Sequence, residues 1–235
     1  MTNTSSEKQS VLIATPVYGG TVTTAFHRSI GALADALRGA GISHGRVLIE
    51  GCSLISAARN ACAHAFLKSP ATHLLFVDAD QGFPPDVVLE MLRLDKELIA
   101  AEVPKKAIDW ERVRAAALAG EANLAAHAVG PAYADAPPGE LVQVRRAGTG
   151  LMLIRREVFE RIRKKTPQMS YVERSPGTAF FGERLHAFFD TMILDDQYLG
   201  EDHAFCERWR REGGKTWLYR RPGIVHVGPY VYGPS

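Results

Sequence analysis

Cysteine is scarce in this 235-residue chain, and that scarcity excludes several protein classes. Cys52, Cys62 and Cys206 are odd in number and lack the paired spacing of a zinc site, so neither a disulfide framework nor a zinc-built fold is expected. They read as reduced thiols of a cytoplasmic protein, small apolar groups within a core. No apolar run reaches the ~18 residues that a membrane-spanning helix needs, and residues 1–10 are polar, so no signal peptide is expected. Peripheral membrane contact stays open. Charge of one sign is lacking too. Lys and Arg number 28 against 26 Asp and Glu, a net charge of +2, with no long basic run. This argues against extensive nucleic-acid binding and leaves room for a local anionic pocket. No Gly-x-Gly-x-x-Gly turn follows the first apolar run, which argues against an NAD-dependent oxidoreductase.

What is present is an ordinary globular composition, 46% hydrophobic and 23% charged, on a chain long enough for one large α/β core. Its centre is Leu74-Leu75-Phe76-Val77-Asp78-Ala79-Asp80. The four apolar residues fit a buried strand, and two carboxylates follow at its carboxyl end, where α/β sheets gather their ligands. Two like charges so close favour protonating one of them unless a cation compensates. Hard oxygen ligands suit Mg²⁺ or Mn²⁺. A solvated Asp-x-Asp turn is the plainer alternative.

Along the chain, residues 11–15 read as a first strand, ending at Pro16-Val17-Tyr18-Gly19-Gly20. Thr21 or Thr23 can cap a helix whose Phe26, Ile30, Leu33 and Leu37 recur at helical spacing. A strand at 46–50 precedes a helix at 53–67 that carries Arg59 and Asn60. The strand bearing the carboxylates leads into a helix at 86–94, and a fourth strand at 98–103 ends in Pro104-Lys105-Lys106. This alternation predicts a parallel, doubly wound sheet. Residues 110–128 read as helical, 130–139 as loop, 141–145 as a strand, 156–164 as a helix and 170–189 as irregular. Gly148 and Gly150 let backbone approach a ligand or another strand closely. Glu201 and Asp202 open a further helix, either as N-terminal acids that favour its dipole or as functional groups. A last strand spans 216–219, and His226 lies in an apolar run near the end.

Together these marks resemble the nucleotide-sugar glycosyltransferases of the GT-A fold, family 2 type. The marks are Thr15-Pro16-Val17-Tyr18, Ser56-Ala57-Ala58-Arg59-Asn60, Asp78-Ala79-Asp80, Gly148-Thr149-Gly150-Leu151-Met152, Glu201-Asp202 and His226. The resemblance implies a single GT-A domain with a mostly parallel, Rossmann-like central sheet flanked by helices. Residues 11–104 would be its nucleotide-sugar-binding half, 105–140 a helical and loop insertion, and 141–228 the acceptor and catalytic half. It implies that Thr15, Pro16 and Tyr18 line the base pocket, that Arg59 and Asn60 hold base or diphosphate, and that Asp78 reaches the ribose. Asp80, with Asp78 and His226, would bind the Mn²⁺ or Mg²⁺ that bridges the phosphates. Gly148, Thr149 and Gly150 would lie on the acceptor side, with Asp202 as general base and Glu201 beside it. Lys105 and Lys106 have no counterpart in the resemblance, and at a strand's carboxyl end they would touch phosphate or only solvent. The partners implied are a nucleoside-diphosphate sugar and a saccharide, lipid or protein acceptor. Gln81 departs from the acidic or small residue common after the second Asp. Two rival readings are a sugar-phosphate nucleotidyltransferase, disfavoured by the lack of basic residues after the first strand, and a non-catalytic nucleotide- or carbohydrate-binding protein.

Overall fold

In the computed structural model, which describes residues 8–129, 132–133 and 136–233, the apolar runs become the inner strands of a seven-stranded sheet. The first half comprises β1 (Ser10–Val17), α1 (Thr24–Gly39), β2 (Ser43–Glu50), α2 (Ile55–Lys68), β3 (His73–Val77), β4 (Gln81–Gly82), α3 (Pro85–Leu94) and β5 (Leu98–Ala101). Then come α4 (Trp110–Leu118), β6 (Leu141–Val144), β7 (Leu151–Arg155), α5 (Arg156–Lys165), β8 (Ser170–Val172) and β9 (Arg184–His186). The chain closes with β10 (Met192–Leu194), β11 (Gln197–Leu199), α6 (Glu201–Arg211), β12 (Thr216–Tyr219), β13 (Val225–Val227) and β14 (Val231–Tyr232). Residues 1–7 of the polar leader, and 130, 131, 134 and 135 of the expected loop, lie outside the described residues.

The sheet order is β2-β1-β3-β7-β5-β12-β6, with β7 antiparallel to β3 and β5, and β6 antiparallel to β12. It is thus a mostly parallel sheet flanked by helices. Its inner strands alternate sides with the period of two that the pleat imposes. Leu74 and Phe76 of β3 enter one core with Phe66, Phe159, Phe205 and Trp209 of α2, α5 and α6. Leu75 and Val77 enter the other, with Ile30, Leu33, Val87 and Met91 of α1 and α3. Both faces are covered, so the strands read as unbroken apolar runs rather than alternating ones.

Four expectations need correction. The first strand continues through Pro16 to Val17, because β2 pairs with it along its whole length, Pro16 against Ile49 included. Residues 151–155 form a central strand with no sequence signal of its own, since a short buried run preceded by glycines has no helical or amphipathic period. The helix expected over 110–128 ends at Leu118, with Gly120 in the left-handed conformation, and resumes only as a 3₁₀ turn at Leu124–His127. Within 170–189, β8 and β9 pair as a small hairpin.

Candidate active site

The antiparallel course of β7 brings Gly148-Thr149-Gly150 to the carboxyl edge of β3. Leu151 pairs with Val77, so Gly150 lies beside Asp78 and its carbonyl accepts the Asp78 N–H at 3.0 Å. A Cβ on Gly150 would meet Gln81 Nε2 at 3.3 Å and Asp78 Oδ2 at 3.6 Å. One on Gly148 would lie 3.6 Å from Asp202 Oδ2. The glycine segment therefore runs between the strand-end carboxylates and the first turn of α6. Thr149 is buried.

Asp78 is held by Arg59, whose Nη2 donates to Oδ1 at 2.9 Å and Oδ2 at 3.3 Å. Arg59 Nε reaches Glu201 Oε1 at 3.3 Å, and the guanidinium lies over the Phe76 ring. Arg59 is only 3% exposed. Burial disfavours its charge, but the two carboxylates outweigh that and raise its pKa above the ordinary value. Among the described residues its Nη1 has no hydrogen-bond partner, and the same holds for Oε1 of the fully buried Gln81. Asn60 is buried, and its Oδ1 accepts the Phe189 N–H at 2.9 Å.

Asp80 faces the far end of the chain because β4, just after it, pairs with β13, placing His226 opposite Gln81. The Asp80 carbonyl accepts the Val227 N–H at 2.8 Å, and His226 Nε2 lies 3.4 Å from Asp80 Oδ1. Lys106 pairs with Asp80 Oδ2. Burial opposes ionisation of Asp80, yet the His226 and Lys106 partners overcome it and hold the carboxyl down at about 2. His226 Nδ1 lies 2.8 Å from the Pro104 carbonyl and donates to it. Nε2 is thus the ring nitrogen that faces Asp80. Asp80 and His226 are the residues that could hold a divalent ion, in place of the Lys106 ammonium on Asp80 Oδ2. Among the described residues no group of three or more His, Cys, Asp or Glu gathers into a fuller cage. Asp78 is paired with Arg59 instead.

Of the other expected residues, Thr15 and Pro16 are buried in β1, whereas Tyr18 is 71% exposed at its tip. Lys105 is exposed, and it is its neighbour Lys106 that reaches Asp80. Asp202 Oδ1 accepts the His203 N–H at 2.7 Å, leaving Oδ2 toward Gly148. Sequence reasoning missed Tyr133, whose phenol oxygen accepts the Gly148 N–H at 2.6 Å. Its only signal was an aromatic residue in a segment rich in Pro, Gly and Ala. Cys62 and Cys206 are buried, with thiols pushed up by burial to about 12 and about 11, so they are inert packing groups. A separate cleft of about 870 Å³ opens at the amino-terminal edge of the sheet, beside Gln9, His73 and Arg155. Arg93 there pairs with Glu90, Arg155 with Asp95, and Arg156 with carbonyls ending α2. No helix among the described residues is long and apolar enough to cross a membrane.

No family model and no curated protein matches this sequence. Among solved structures, the chain is similar to the A197 protein from STIV, with a TM-score of 0.48, 15% identity, and coverage of 94% of this chain and 86% of that one. It is similar to a glycosyltransferase involved in the glycosylation of the major capsid of PBCV-1, with a TM-score of 0.34, 11% identity, and coverage of 68% and 66%. A third similarity is to a structure described as a glucose-1-phosphate thymidylyltransferase from Bacillus anthracis in complex with sucrose, with a TM-score of 0.38, 11% identity, and coverage of 93% and 89%. Likenesses this distant carry no weight for chemistry, which rests on the residues themselves.

Proposed function

We propose that this protein is a metal-dependent glycosyltransferase of the GT-A type. It moves a sugar from a nucleoside-diphosphate donor to an acceptor hydroxyl, with inversion at the anomeric carbon. The observation that carries this reading is the meeting of distant carboxylates around one glycine segment. Asp78 bonds it at Gly150, and Asp202 Oδ2 lies beside the place where a side chain on Gly148 would stand, while Asp80 and His226 pair next to Asp78. Asp80 and His226 would hold Mn²⁺ or Mg²⁺, which when bound neutralises charge on the diphosphate as a Lewis acid.

The chain's own residues account for the rest. Arg59 fixes Asp78 for the ribose, and exposed Tyr18 offers a ring face to the base. Lys106, beside Asp80, adds positive charge where the diphosphate would leave. Asp202 Oδ2 takes the proton from the acceptor hydroxyl as its oxygen bonds to the anomeric carbon. The bond from that carbon to the diphosphate breaks, and its electron pair departs with the phosphate oxygen. Attack opposite the leaving group inverts the centre.

The test is release of nucleoside diphosphate from UDP-, GDP- and dTDP-sugars incubated with the protein and Mn²⁺. Release from one donor class, stopped by a chelator, is expected. Consumption of a nucleoside triphosphate with pyrophosphate release would instead establish a nucleotidyltransferase.

A further inference from the structure

Tyr133 lies within the 105–140 segment that the family resemblance leaves unmatched, yet three of its atoms are gripped. Its N–H donates to Glu102 Oε1 at 3.2 Å, its carbonyl accepts from Arg220 Nη2 at 3.4 Å, and its phenol oxygen accepts the Gly148 N–H at 2.6 Å. Arg220 also donates to Glu102 and to the Gly139 carbonyl, and its N–H donates to the Glu140 carbonyl. The segment is thereby tied to the ends of β5 and β12, and what the ties fix in place is the phenol. Among the described residues its proton has no acceptor.

Gly148 supplies the other half. Its φ lies outside the left-handed region, and a Cβ there would stand 3.5 Å from Tyr133 Oη and 3.6 Å from Asp202 Oδ2, ordinary van der Waals contact. Neither backbone conformation nor crowding demands a glycine. Glycine leaves uncovered the space a methyl would fill, a notch with the Tyr133 phenol oxygen on one side and Asp202 Oδ2 on the other.

The geometry points to Tyr133 as the residue that orients the acceptor hydroxyl in this notch, an assignment that rests on the transferase reading above. The acceptor oxygen receives a hydrogen bond from Tyr133 Oη–H and gives its own hydrogen to Asp202 Oδ2. A lone pair is then left for the anomeric carbon. The proton ends on Asp202, the new carbon–oxygen bond forms, and the diphosphate leaves with the electron pair of the bond that breaks. Burial pushes the Tyr133 phenol up to about 12, so it stays a neutral donor at physiological pH.

The test compares wild type, Tyr133→Phe and Gly148→Ala on UDP-, GDP- and dTDP-sugars with Mn²⁺ and water as acceptor, following diphosphate release. Both variants are expected to keep the donor KM and to lose about 10- to 100-fold in kcat, the scale of a positioned proton-transfer partner. Gly148→Ala is expected to keep the wild-type Tm, because the added methyl fits. A purely structural Tyr133–Gly148 bond predicts undiminished kcat in that variant. Wild-type kcat in both variants, or a raised KM with unchanged kcat, would overturn the Tyr133 assignment alone. Absence of donor turnover by the wild type would overturn the transferase reading and this inference with it.

Discussion

Arg59 Nη2 lies 2.9 Å from Asp78 Oδ1 while its Nε lies 3.3 Å from Glu201 Oε1, so one buried guanidinium joins the end of β3 to the start of α6. A fork of fixed N–H directions can serve two carboxylates at once, which an ammonium cannot do with the same geometry. Replacing Arg59 with Met strands both acids. Because the Asp78 side chain keeps 30% of its exposure, the expected loss is about 2–3 kcal/mol, below the ~3–5 kcal/mol of a fully buried pair. Arg59→Lys should recover only part of it. Urea denaturation of the three proteins measures the difference, and an unchanged midpoint in both variants would contradict the clamp.

Asp202→Asn should leave donor binding nearly intact and cut transfer by about 100-fold or more, because the amide keeps the shape and cannot take the proton. Donor affinity by calorimetry and initial rates by diphosphate release separate the two effects. Full activity would move the base elsewhere.

Acid should weaken the fold through two histidines before it reaches Asp80. Burial, then the nearby positive charge of Arg155, lowers His73 to about 4. Burial, then Arg163 and Arg208, does the same to His186. Both sit below the ~6.5 of an unfolded chain, so between those values the unfolded state binds more protons and stability falls as pH falls. The contribution is whole above about pH 6.5 and is lost on the way to about 4. Asp80, held at about 2, loses its share only below the ordinary carboxylate value of about 4. Tm measured against pH should decline within the histidine window, and the decline should shrink in His186→Gln. A Tm that rises on acidification there would contradict the assignment.

Gly214 admits no side chain, since a Cβ would stand 1.9 Å from Trp209 Cε2. The Trp209 ring is fully buried, and its Nε1 donates to the Lys215 carbonyl at 3.2 Å. Gly214→Ala should therefore cost at least ~1–3 kcal/mol by overpacking, with a blue-to-red shift of tryptophan emission if the ring is expelled. Wild-type stability in this variant would show that the ring can yield freely.

Much of this was legible because burial on both faces leaves a plain mark. Val11-Leu12-Ile13 and Leu74-Leu75-Phe76-Val77 announce central strands, and the second carries Asp78 and Asp80 just past its carboxyl end. His226 beside Asp80 was foreseen only through a family resemblance, because the β4–β13 pairing that joins them involves a two-residue strand. The reversal at β7 was hidden because strand direction leaves no trace in an apolar run. Lys106 and Lys105 are adjacent, and only backbone geometry decides which of them turns toward Asp80. Tyr133 was invisible for a related reason. Its place depends on Glu102 and Arg220, which lie far from it in sequence and carry no motif.

The most direct test of the site is a thermal-shift titration of wild type and Asp80→Asn with UDP, GDP and dTDP, each with and without Mn²⁺. A ligand that binds only the folded state raises Tm, by an amount equivalent to about 2.7 kcal/mol at a hundredfold excess over its dissociation constant. The account predicts a rise in the wild type with one nucleotide only when Mn²⁺ is present, and its loss in Asp80→Asn. A rise that is the same without metal, or that survives in Asp80→Asn, would contradict a cation site built on Asp80 and His226.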